Sequence, residues 1–195
     1  MEPAALKSVQ RKMGIAARKA LPAAQRAAAN AALCARIAAL PCFTKADTLL
    51  FYAAFGGEAD LSALAAQAQA LGKTVAYPIC GEQFTLTAAV PGPDGWETGA
   101  YGIRTPILSR SVRLAPEELD LVLVPCTAFD AQCRRVGTGK GYYDRYLPRC
   151  PQAVWLGVAF EVQRVEAAAV DAADQLLDWY VTDGGIYCGT DKFKL

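Results

Sequence analysis

The fold of this chain is decided by the stretch Leu119–Tyr146, which reads LDLVLVPCTAFDAQCRRVGTGKGYYDRY. Its first part, Leu119–Pro125, is a continuous apolar run of the kind that is buried on both faces of a parallel sheet. A glycine-rich turn follows, and then a helix that is predicted to end near Arg149. Strand, turn and helix in this order form the repeating unit of an α/β fold.

The same alternation continues on both sides of this stretch. Short apolar runs bounded by glycine or proline predict the strands, and apolar positions three or four residues apart predict the helices. The predicted strands are Thr48–Phe55, Thr74–Ile79, Phe84–Val90, Leu119–Pro125, Ala153–Phe160 and Trp179–Thr182. The other predicted helices are Leu6–Ala20, Pro22 to about Leu40, Asp60 to Gly72, and one between the last two strands; a long surface loop is predicted at Pro91–Pro106. The pattern predicts one α/β domain over residues 1–195, a three-layer sandwich with a mainly parallel sheet flanked by helices.

The composition excludes several kinds of protein and of chemistry. Hydrophobic residues make up 53% of the 195 residues and charged residues 20%, which excludes an intrinsically disordered chain. A net charge of +1 and the absence of an apolar run of membrane-spanning length predict no nucleic-acid and no membrane partner. The chain has no histidine for a triad or a general base, and its 7 cysteines include no C-x-x-C pair for zinc.

The N-terminal segment is basic, and no acidic residue appears between Glu2 and Asp47. Such a start is found in organellar transit peptides and also in solvated helices of a folded domain. The helical phasing favours the second interpretation, and it places Lys7, Arg11 and Arg18 within about 40° of one another around the first helix. The default expectation is a cytoplasmic monomer.

The glycine-rich turn carries the strongest chemical signal. Its glycines stand at alternate positions, Gly137, Gly139 and Gly141. This spacing lets backbone amides point inward around an anion, next to the start of a helix and to the charges of Arg135 and Lys140. The spacing matches neither a Walker A loop nor the G-x-G-x-x-G of dinucleotide folds. It favours a phosphate site over a plain connection, and the nearby Asp144 could hold a phosphate-bound Mg²⁺.

The run R-x-G-x-G-x-G-Y-Y-D, which follows an apolar strand and Phe129-Asp130, resembles the signature of the 5-formyltetrahydrofolate cyclo-ligase (methenyltetrahydrofolate synthetase) family. The resemblance extends over nearly the whole chain. Further matches are Lys7, Arg11, Ala53, Glu58, Tyr101-Gly102-Ile103, Pro106, Gly157, Ala159-Phe160, Gln163, Asp174, Asp178 and Val181-Thr182-Asp183. The chain departs from the family pattern around the motifs, at Thr105, Cys133, Ala169 and Ala173.

The resemblance implies an ATP- and Mg²⁺-dependent cyclo-ligase that converts 5-formyltetrahydrofolate, with or without a polyglutamate tail, to 5,10-methenyltetrahydrofolate, ADP and phosphate. Phosphorylation of the formyl oxygen followed by attack of N10 needs positioning and charge neutralisation rather than a histidine. The implied ATP contacts are Lys7, Arg11, Arg135, Val136, Gly137, Thr138, Gly139, Lys140, Gly141, Tyr142 and Tyr143, with Arg135 and Lys140 as catalytic residues. The implied folate contacts are Ala53, Glu58, Tyr101, Thr138, Gly139, Lys140, Gly141 and Tyr142, and the implied Mg²⁺ ligands are Asp144 and Asp178.

The residues alone leave two other classes of function open. An enzyme of the sugar-phosphate isomerase kind would hold phosphate at the same turn, but it would need a carboxylate base and no ATP. A non-catalytic module would bind a nucleotide, a folate or RNA, although the near-neutral charge argues against RNA. ATP consumption distinguishes the cyclo-ligase from the first alternative, and any turnover distinguishes it from the second.

Overall fold

The elements of the fold are described over residues 3–99 and 102–190 of a computed structural model. The helices in these ranges are α1 Pro3–Ala20, α2 Ala23–Ala38, α3 Pro41–Lys45, α4 Ser62–Ala70 and α5 Tyr142–Tyr146. The strands are β1 Thr48–Leu50, β2 Thr74–Cys80, β3 Leu86–Pro91, β4 Trp96–Thr98, β5 Arg104–Pro106, β6 Ser111–Leu114, β7 Leu121–Pro125, β8 Ala128–Phe129, β9 Arg135–Val136, β10 Val154–Val158, β11 Trp179–Val181 and β12 Ile186–Cys188.

Eight of these strands form one sheet in the order β12-β11-β10-β7-β1-β2-β3-β6. The central strands from β11 to β2 are parallel, and β12, β3 and β6 are added antiparallel at the two edges. The predicted α/β fold with a mainly parallel sheet is confirmed. Because β1 comes first in the chain and lies between β2 and β7, the sheet grows outward from β1 in both directions. Ligands of such sheets bind beyond the carboxyl ends of the strands, where the strand order reverses.

The central strands divide the core into two layers, because successive side chains of a strand point to opposite faces. In β7, Leu121 and Leu123 face one layer, whereas Val122 and Val124 face the other. The first layer is closed by α2, α3 and α4, through Leu33, Ile37, Phe43 and Leu64. The second layer is closed by α5 and the 3-10 turn after it, through Tyr146, Leu147 and Cys150. Both faces of β7 are buried, as its apolar sequence predicts.

The first helix, α1, crosses the carboxyl ends of the strands instead of covering a face of the sheet. The Gln10 side chain donates to the Ala167 carbonyl at 2.7 Å and accepts from the Ala169 amide at 2.8 Å. At Gly14 the helix touches the chain beyond β7, where an added Cβ would lie 1.8 Å from the Thr127 carbonyl oxygen. The helical interpretation of the N-terminal segment is confirmed. Over the described ranges, no helix has the length and apolar character that crossing a membrane requires.

Two predicted elements differ in the first half of the chain. The surface loop predicted at Pro91–Pro106 contains the β4–β5 hairpin, in which Trp96 contacts the Tyr77 ring edge-on, with 4.7 Å between the centroids. The strand predicted at Thr48–Phe55 ends at Leu50, although the Phe51 amide still donates to the Ala76 carbonyl of β2 at 2.9 Å. The glycine and proline residues of the first segment therefore favoured a loop where the β4–β5 hairpin forms, and the apolar run of the second predicted a strand longer than β1.

The helix predicted between the last two strands is wrong. The described chain there forms only a 3-10 turn, Glu161–Gln163, followed by irregular backbone. The Val165 amide donates to the Phe129 carbonyl, and the Ala168 amide donates to a carboxylate oxygen of Asp130, each at 2.8 Å. Because these amides have partners elsewhere in the fold, they do not form a helical hydrogen-bond ladder.

Candidate active site

The β8–β9 hairpin delivers the glycine-rich turn to the carboxyl edge of the sheet. Asp130 closes the hairpin, since its Oδ1 accepts hydrogen bonds from the Gln132 and Arg134 amides at 3.0 and 3.1 Å. Cys133, where the chain departs from the pattern of the family it resembles, has a φ of +62°. That left-handed conformation favours glycine and strains most other residues. The hairpin nevertheless forms and places Arg135 at the start of the turn.

The glycine-rich turn has the close backbone approach that its glycines predict. Gly139 has a φ of +97°, and an added Cβ would lie 3.2 Å from Nη2 of Arg11. The Arg11 Nε donates to the Gly137 carbonyl at 2.9 Å. The turn therefore lies directly against a basic side chain of α1, as only a residue without a side chain allows.

A cleft of about 320 Å³ opens beside this turn, and we call it the loop cleft. Its lining includes eight predicted site residues, Lys7, Arg11, Val136, Gly137, Gly139, Lys140, Gly141 and Asp144. It also includes four residues that the sequence analysis did not assign to a site, Arg145, Asp171, Ala173 and Asp174. The volume lies at the small end of the range for small-molecule sites. Four basic and three acidic side chains line it, and the small surplus of positive charge, together with the amides of the turn, favours an anionic ligand.

Lys7 is held at the loop cleft by two aspartates. Its Nζ donates to Oδ2 of Asp171 at 2.7 Å and to Oδ2 of Asp174. Burial alone would lower the pKa of Lys7, but the hydrogen bonds and charges of these aspartates raise it above its ordinary value. Lys7 is therefore cationic at neutral pH and already oriented at the rim of the cleft.

Arg135 lies beneath the loop cleft and is only 4% exposed. Its guanidinium donates to Oδ1 of Asp144 and to the Gln175 carbonyl, each at 2.6 Å. The Gln175 amide also donates to Oδ1 of Asp144, at 3.0 Å. The α-helical part of this run, α5, carries Asp144 and has five residues, and the 3-10 turn Leu147–Arg149 continues it to the predicted end at Arg149. Because the α-helix is so short, its dipole is small. Charge at this end of the site comes from side chains more than from the helix.

The structure does not bring Asp178, a predicted metal ligand, to the loop cleft. Asp178 is 1% exposed and directly precedes β11. Its Oδ2 accepts from the Trp155 amide at 2.9 Å, and its Oδ1 accepts from the Thr190 hydroxyl at 2.8 Å. Because both oxygens bind the protein, this geometry argues against a metal at Asp178 and gives it a structural role.

Asp174, and not the predicted Asp178, lies at the loop cleft. It lines the loop cleft together with Asp144. Among the described residues, no three or more Cys, Asp or Glu side chains come together as a metal site. A cation bound here would complete its ligands with water and with oxygens of another molecule, as Mg²⁺ does at nucleotide sites.

A second group of polar residues lies where β1 and β7 end, and we call it the Glu58 cluster: Arg18, Tyr52, Glu58, Cys126 and Tyr143. The Glu58 side chain is 11% exposed, with Oε1 lying 3.6 Å from Nη2 of Arg18. Burial raises the pKa of Glu58, and the charge of Arg18 lowers it in part. The Glu58 charge in turn acts on the other three members. This cluster is the most buried part of the candidate site.

The Tyr143 hydroxyl is buried without a hydrogen-bond partner in the described part of the chain. Burial raises its pKa, so that the phenol is neutral at physiological pH. The charges of Glu58 and Arg135 both act on this phenol. Such hydroxyls are uncommon in folded proteins, and in the described chain those of Tyr146 and Tyr180 are buried without a partner as well.

Comparison with known proteins agrees with the geometry. The family model described as 5-formyltetrahydrofolate cyclo-ligase family matches residues 4–183. The chain belongs to this family. It is also similar to the solved structure of Aquifex aeolicus 5,10-methenyltetrahydrofolate synthetase, with a TM-score of 0.84, 32% identity, and coverage of 97% of this chain and 96% of that one. The predicted family and the predicted enzyme class are confirmed.

Curated relatives of the family differ in how much of their length aligns. The 5-formyltetrahydrofolate cyclo-ligase of Escherichia coli (strain K12) is 27% identical over 177 residues, which cover 87% of this chain and 96% of that protein. The enzyme of the same name from Mus musculus is 38% identical over 74 residues, and these cover 35% of this chain and 36% of the mouse protein. The chain thus aligns with about a third of the mouse relative and with nearly all of the bacterial one.

Of the remaining predicted site residues, three lie in the described ranges but do not line the loop cleft, and Tyr101 lies outside those ranges. Tyr142 donates to the Gly81 carbonyl at 3.5 Å. Ala53 is half-buried just beyond β1, and Thr138 is exposed in the glycine-rich turn. Tyr101 lies outside the described residues, so its predicted folate contact stays a prediction.

Besides the four unassigned residues of the loop cleft, the structure brings Arg18 and Phe84 to the candidate site, and the sequence analysis assigned neither of them. Arg18 lies on the same helical face as Lys7 and Arg11, which is visible in the sequence. Its ion pair with Glu58 is visible only in the folded structure. Phe84 lies 5.9 Å from the Tyr142 ring, measured between centroids, and Nζ of Lys140 lies 5.7 Å from the Phe84 centroid. No local pattern distinguishes Phe84 from a strand residue, because only the folded β2–β3 turn brings it to the glycine-rich turn.

Proposed function

We propose that this chain catalyses the ATP- and Mg²⁺-dependent cyclisation of 5-formyltetrahydrofolate to 5,10-methenyltetrahydrofolate, with release of ADP and phosphate. One observation carries the proposal: a basic, glycine-lined cleft and a buried carboxylate lie at the same edge of the sheet, in a member of the cyclo-ligase family. The first feature suits a triphosphate, and the second suits the hydrogen-bond donors of a pterin ring.

The loop cleft is proposed as the triphosphate site. Lys7, Arg11 and Lys140 supply positive charge around it, and the amides of the glycine-rich turn add donors. Arg135 has no direct place in the lining; we propose that its buried charge acts from below while it holds Asp144. In this proposal the partly exposed cations surround the phosphates, and the buried one lies under the metal ligand Asp144.

The residues present fit a Mg²⁺ ion bound together with the triphosphate. Hydrogen bonds to Asp144 fall on Oδ1, and those to Asp174 fall on Oδ2, so that each carboxylate keeps a second oxygen for a cation. Mg²⁺ usually binds one or two carboxylates, substrate phosphates and water. We therefore propose Asp144 and Asp174 as its ligands, and the ion supplies charge neutralisation at the phosphates when bound.

The Glu58 cluster is proposed as one side of the folate site. The Glu58 carboxylate would accept hydrogen bonds from N–H groups of the reduced pterin, and burial would strengthen them. Ala53 would offer an apolar contact, and Tyr101 and Tyr142 would offer aromatic ones. The glycine-rich turn, from Thr138 to Gly141, would lie between the folate and the phosphates.

The proposed reaction has two steps that balance. The N5-formyl oxygen attacks the γ-phosphorus of ATP, and ADP leaves with the electron pair of the broken P–O bond. N10 then attacks the formyl carbon, the C–O bond breaks, and phosphate departs with the former formyl oxygen while the N10 proton passes to water. Lys140 and the turn amides stabilise the transferred phosphoryl charge, and Arg11 fixes the turn by its bond to Gly137.

A spectrophotometric assay tests this function. Purified protein is mixed with 5-formyltetrahydrofolate, ATP and Mg²⁺, and the absorbance of the conjugated methenyl product is followed. Growth of that band only when ATP is present is the expected result. A flat trace from folded protein that binds ATP contradicts the proposed reaction while leaving the nucleotide site intact.

A further inference from the structure

Arg18 occupies the point where the strand order of the sheet reverses. It stands in the last turn of α1 and is 2% exposed. Its Nη1 donates to the Cys126 carbonyl beyond β7 at 3.1 Å, and its Nε donates to the Gly56 carbonyl beyond β1 at 3.1 Å. Nη2 adds a longer bond of 3.4 Å to the Phe55 carbonyl. One side chain thus joins α1 to the ends of both strands that flank the reversal point.

The same guanidinium is the cationic partner of Glu58. Nη2 of Arg18 lies 3.6 Å from Oε1 of Glu58, the one ion pair that Glu58 forms within the described ranges. Oε2 of Glu58 accepts the Phe55 amide at 3.1 Å, so the carboxylate is held from two sides. Without Arg18, a buried carboxylate would face only neutral groups of the cluster, the phenols of Tyr52 and Tyr143 and a thiol. A buried charge that loses its partner is strongly disfavoured.

We propose that Arg18 is a positioning residue for folate binding: it fixes the Glu58 carboxylate, and the two strand ends around it, in the arrangement that the substrate requires. The inference rests on the proposed function, in which Glu58 contacts the folate. Arg18 itself touches neither the loop cleft nor the phosphate donors of the turn. Its effect should therefore fall on the folate and not on ATP.

The chain offers a matched control in Arg26, which supports the same loop without contacting Glu58. Its Nη1 donates to the Gly57 carbonyl at 3.2 Å, and its Nη2 donates to the carbonyls of Arg18 and Lys19 at the end of α1, at 2.8 and 3.3 Å. Arg26 and Arg18 share the guanidinium, the loop and the multiple carbonyl bonds. They differ in the ion pair with Glu58, and that pair is the feature to be tested.

The test compares Arg18→Lys with Arg26→Lys in the cyclisation assay. A lysine keeps the charge but loses the planar set of donors. For Arg18→Lys we expect the KM for 5-formyltetrahydrofolate to rise roughly tenfold or more, with the KM for ATP within about twofold of wild type. Arg26→Lys is expected to leave both KM values within about twofold, because the Glu58 pair persists. Circular dichroism confirms the fold of each variant, and Arg18→Gln is measured in the same way if Arg18→Lys does not fold.

A double-mutant cycle separates positioning of Glu58 from general support of the loop. If Arg18 acts through Glu58, adding Arg18→Lys to Glu58→Gln should change the folate KM by less than about twofold. Full additivity of the two substitutions, or an equal rise in folate KM for Arg26→Lys, overturns the inference. A wild-type protein without turnover overturns the proposed function, whereas normal turnover with an unchanged folate KM in Arg18→Lys overturns only the role of Arg18.

Discussion

The loop cleft and the Glu58 cluster lie along the same helix, α1, yet they handle charge in opposite ways. The cleft gathers several partly exposed cations, among them Lys7 and Arg11, with aspartates between them. The cluster contains one ion pair, Arg18 with Glu58, whose side chains are 3% and 11% exposed. Water screens charges in an open cleft, so many are needed there, whereas a single buried charge keeps most of its strength. This contrast is what the proposed function requires, since a triphosphate is a polyanion and a pterin ring is nearly neutral.

The largest loss of activity is expected when Arg135, the buried cation beneath the loop cleft, is removed. Arg135→Ala removes a buried cation, leaves the Gln175 carbonyl without this donor and leaves Asp144 with the Gln175 amide but no cationic partner. We expect kcat/KM for ATP to fall about 100-fold or more. Arg134→Ala is the control, since that guanidinium is 38% exposed and pairs with Asp130 instead. An Arg135→Ala protein with wild-type kcat/KM for ATP would remove Arg135 from the ATP site.

The matching test in the buried region is Glu58→Gln. We expect the folate KM to rise roughly tenfold or more, with little change in the KM for ATP. Because burial raises the pKa of Glu58, the wild-type carboxylate becomes protonated at a higher pH than an ordinary glutamate. The wild-type folate KM should therefore climb as pH falls through that raised pKa, and Glu58→Gln should lack this limb. Identical pH profiles of kcat/KM for the two proteins would show that another group titrates.

A smaller effect is expected at the metal ligands, and it discriminates between two assignments. Asp144→Asn and Asp174→Asn should each raise the Mg²⁺ concentration for half-maximal activity by about tenfold. Asp178→Asn should leave the Mg²⁺ titration unchanged and lower the thermal stability, because it weakens bonds to Trp155 and Thr190. The reverse outcome, with Asp178 affecting the titration and Asp174 not, would restore the assignment made from the sequence.

The smallest effect is expected for Glu161, which belongs neither to the loop cleft nor to the Glu58 cluster. A substitution there should change stability and leave activity unchanged. Burial alone would raise the pKa of Glu161, but hydrogen bonds from Thr182, Arg164 and Tyr187 hold it below the ordinary 4.5. A folded pKa below the unfolded value stabilises the protein above pH 4.5, and this contribution is lost as pH falls through the folded pKa. Glu161→Gln should therefore lower the free energy of unfolding by about 1 kcal/mol at neutral pH.

Urea denaturation at neutral pH and at a pH below that of the free carboxyl group checks the prediction for Glu161. The difference between wild type and Glu161→Gln should shrink at the lower pH, and turnover at neutral pH should be unchanged. If this difference in the free energy of unfolding does not change with pH, the ionisation of Glu161 does not contribute to stability, and the prediction is wrong.

The spacing of residues in the sequence predicted correctly those features that depend on residues close together in the chain. The apolar run that became β7 and the basic face of α1 both follow from side-chain spacing within a single element. The segment after β10 did not follow, because its amides bond to Phe129 and Asp130, more than thirty residues away in the sequence. A pattern confined to a short window cannot register partners at that distance.

The sequence by itself determined the family, the α/β class, the glycine-rich turn and the basic residues that accompany it. Motifs and the alternation of strand and helix patterns are visible along the chain without any contact between distant segments. Only the tertiary structure decided which acids share the cleft. Asp174 meets Lys7 across 167 positions of the chain, while Asp178, four residues later, is enclosed by Trp155 and Thr190. Likewise, Arg18 lies on the same face of α1 as Lys7 and Arg11, but it is buried, because it packs against the ends of β1 and β7. Burial and partners depend on contacts between distant segments, and those contacts exist only once the chain has folded.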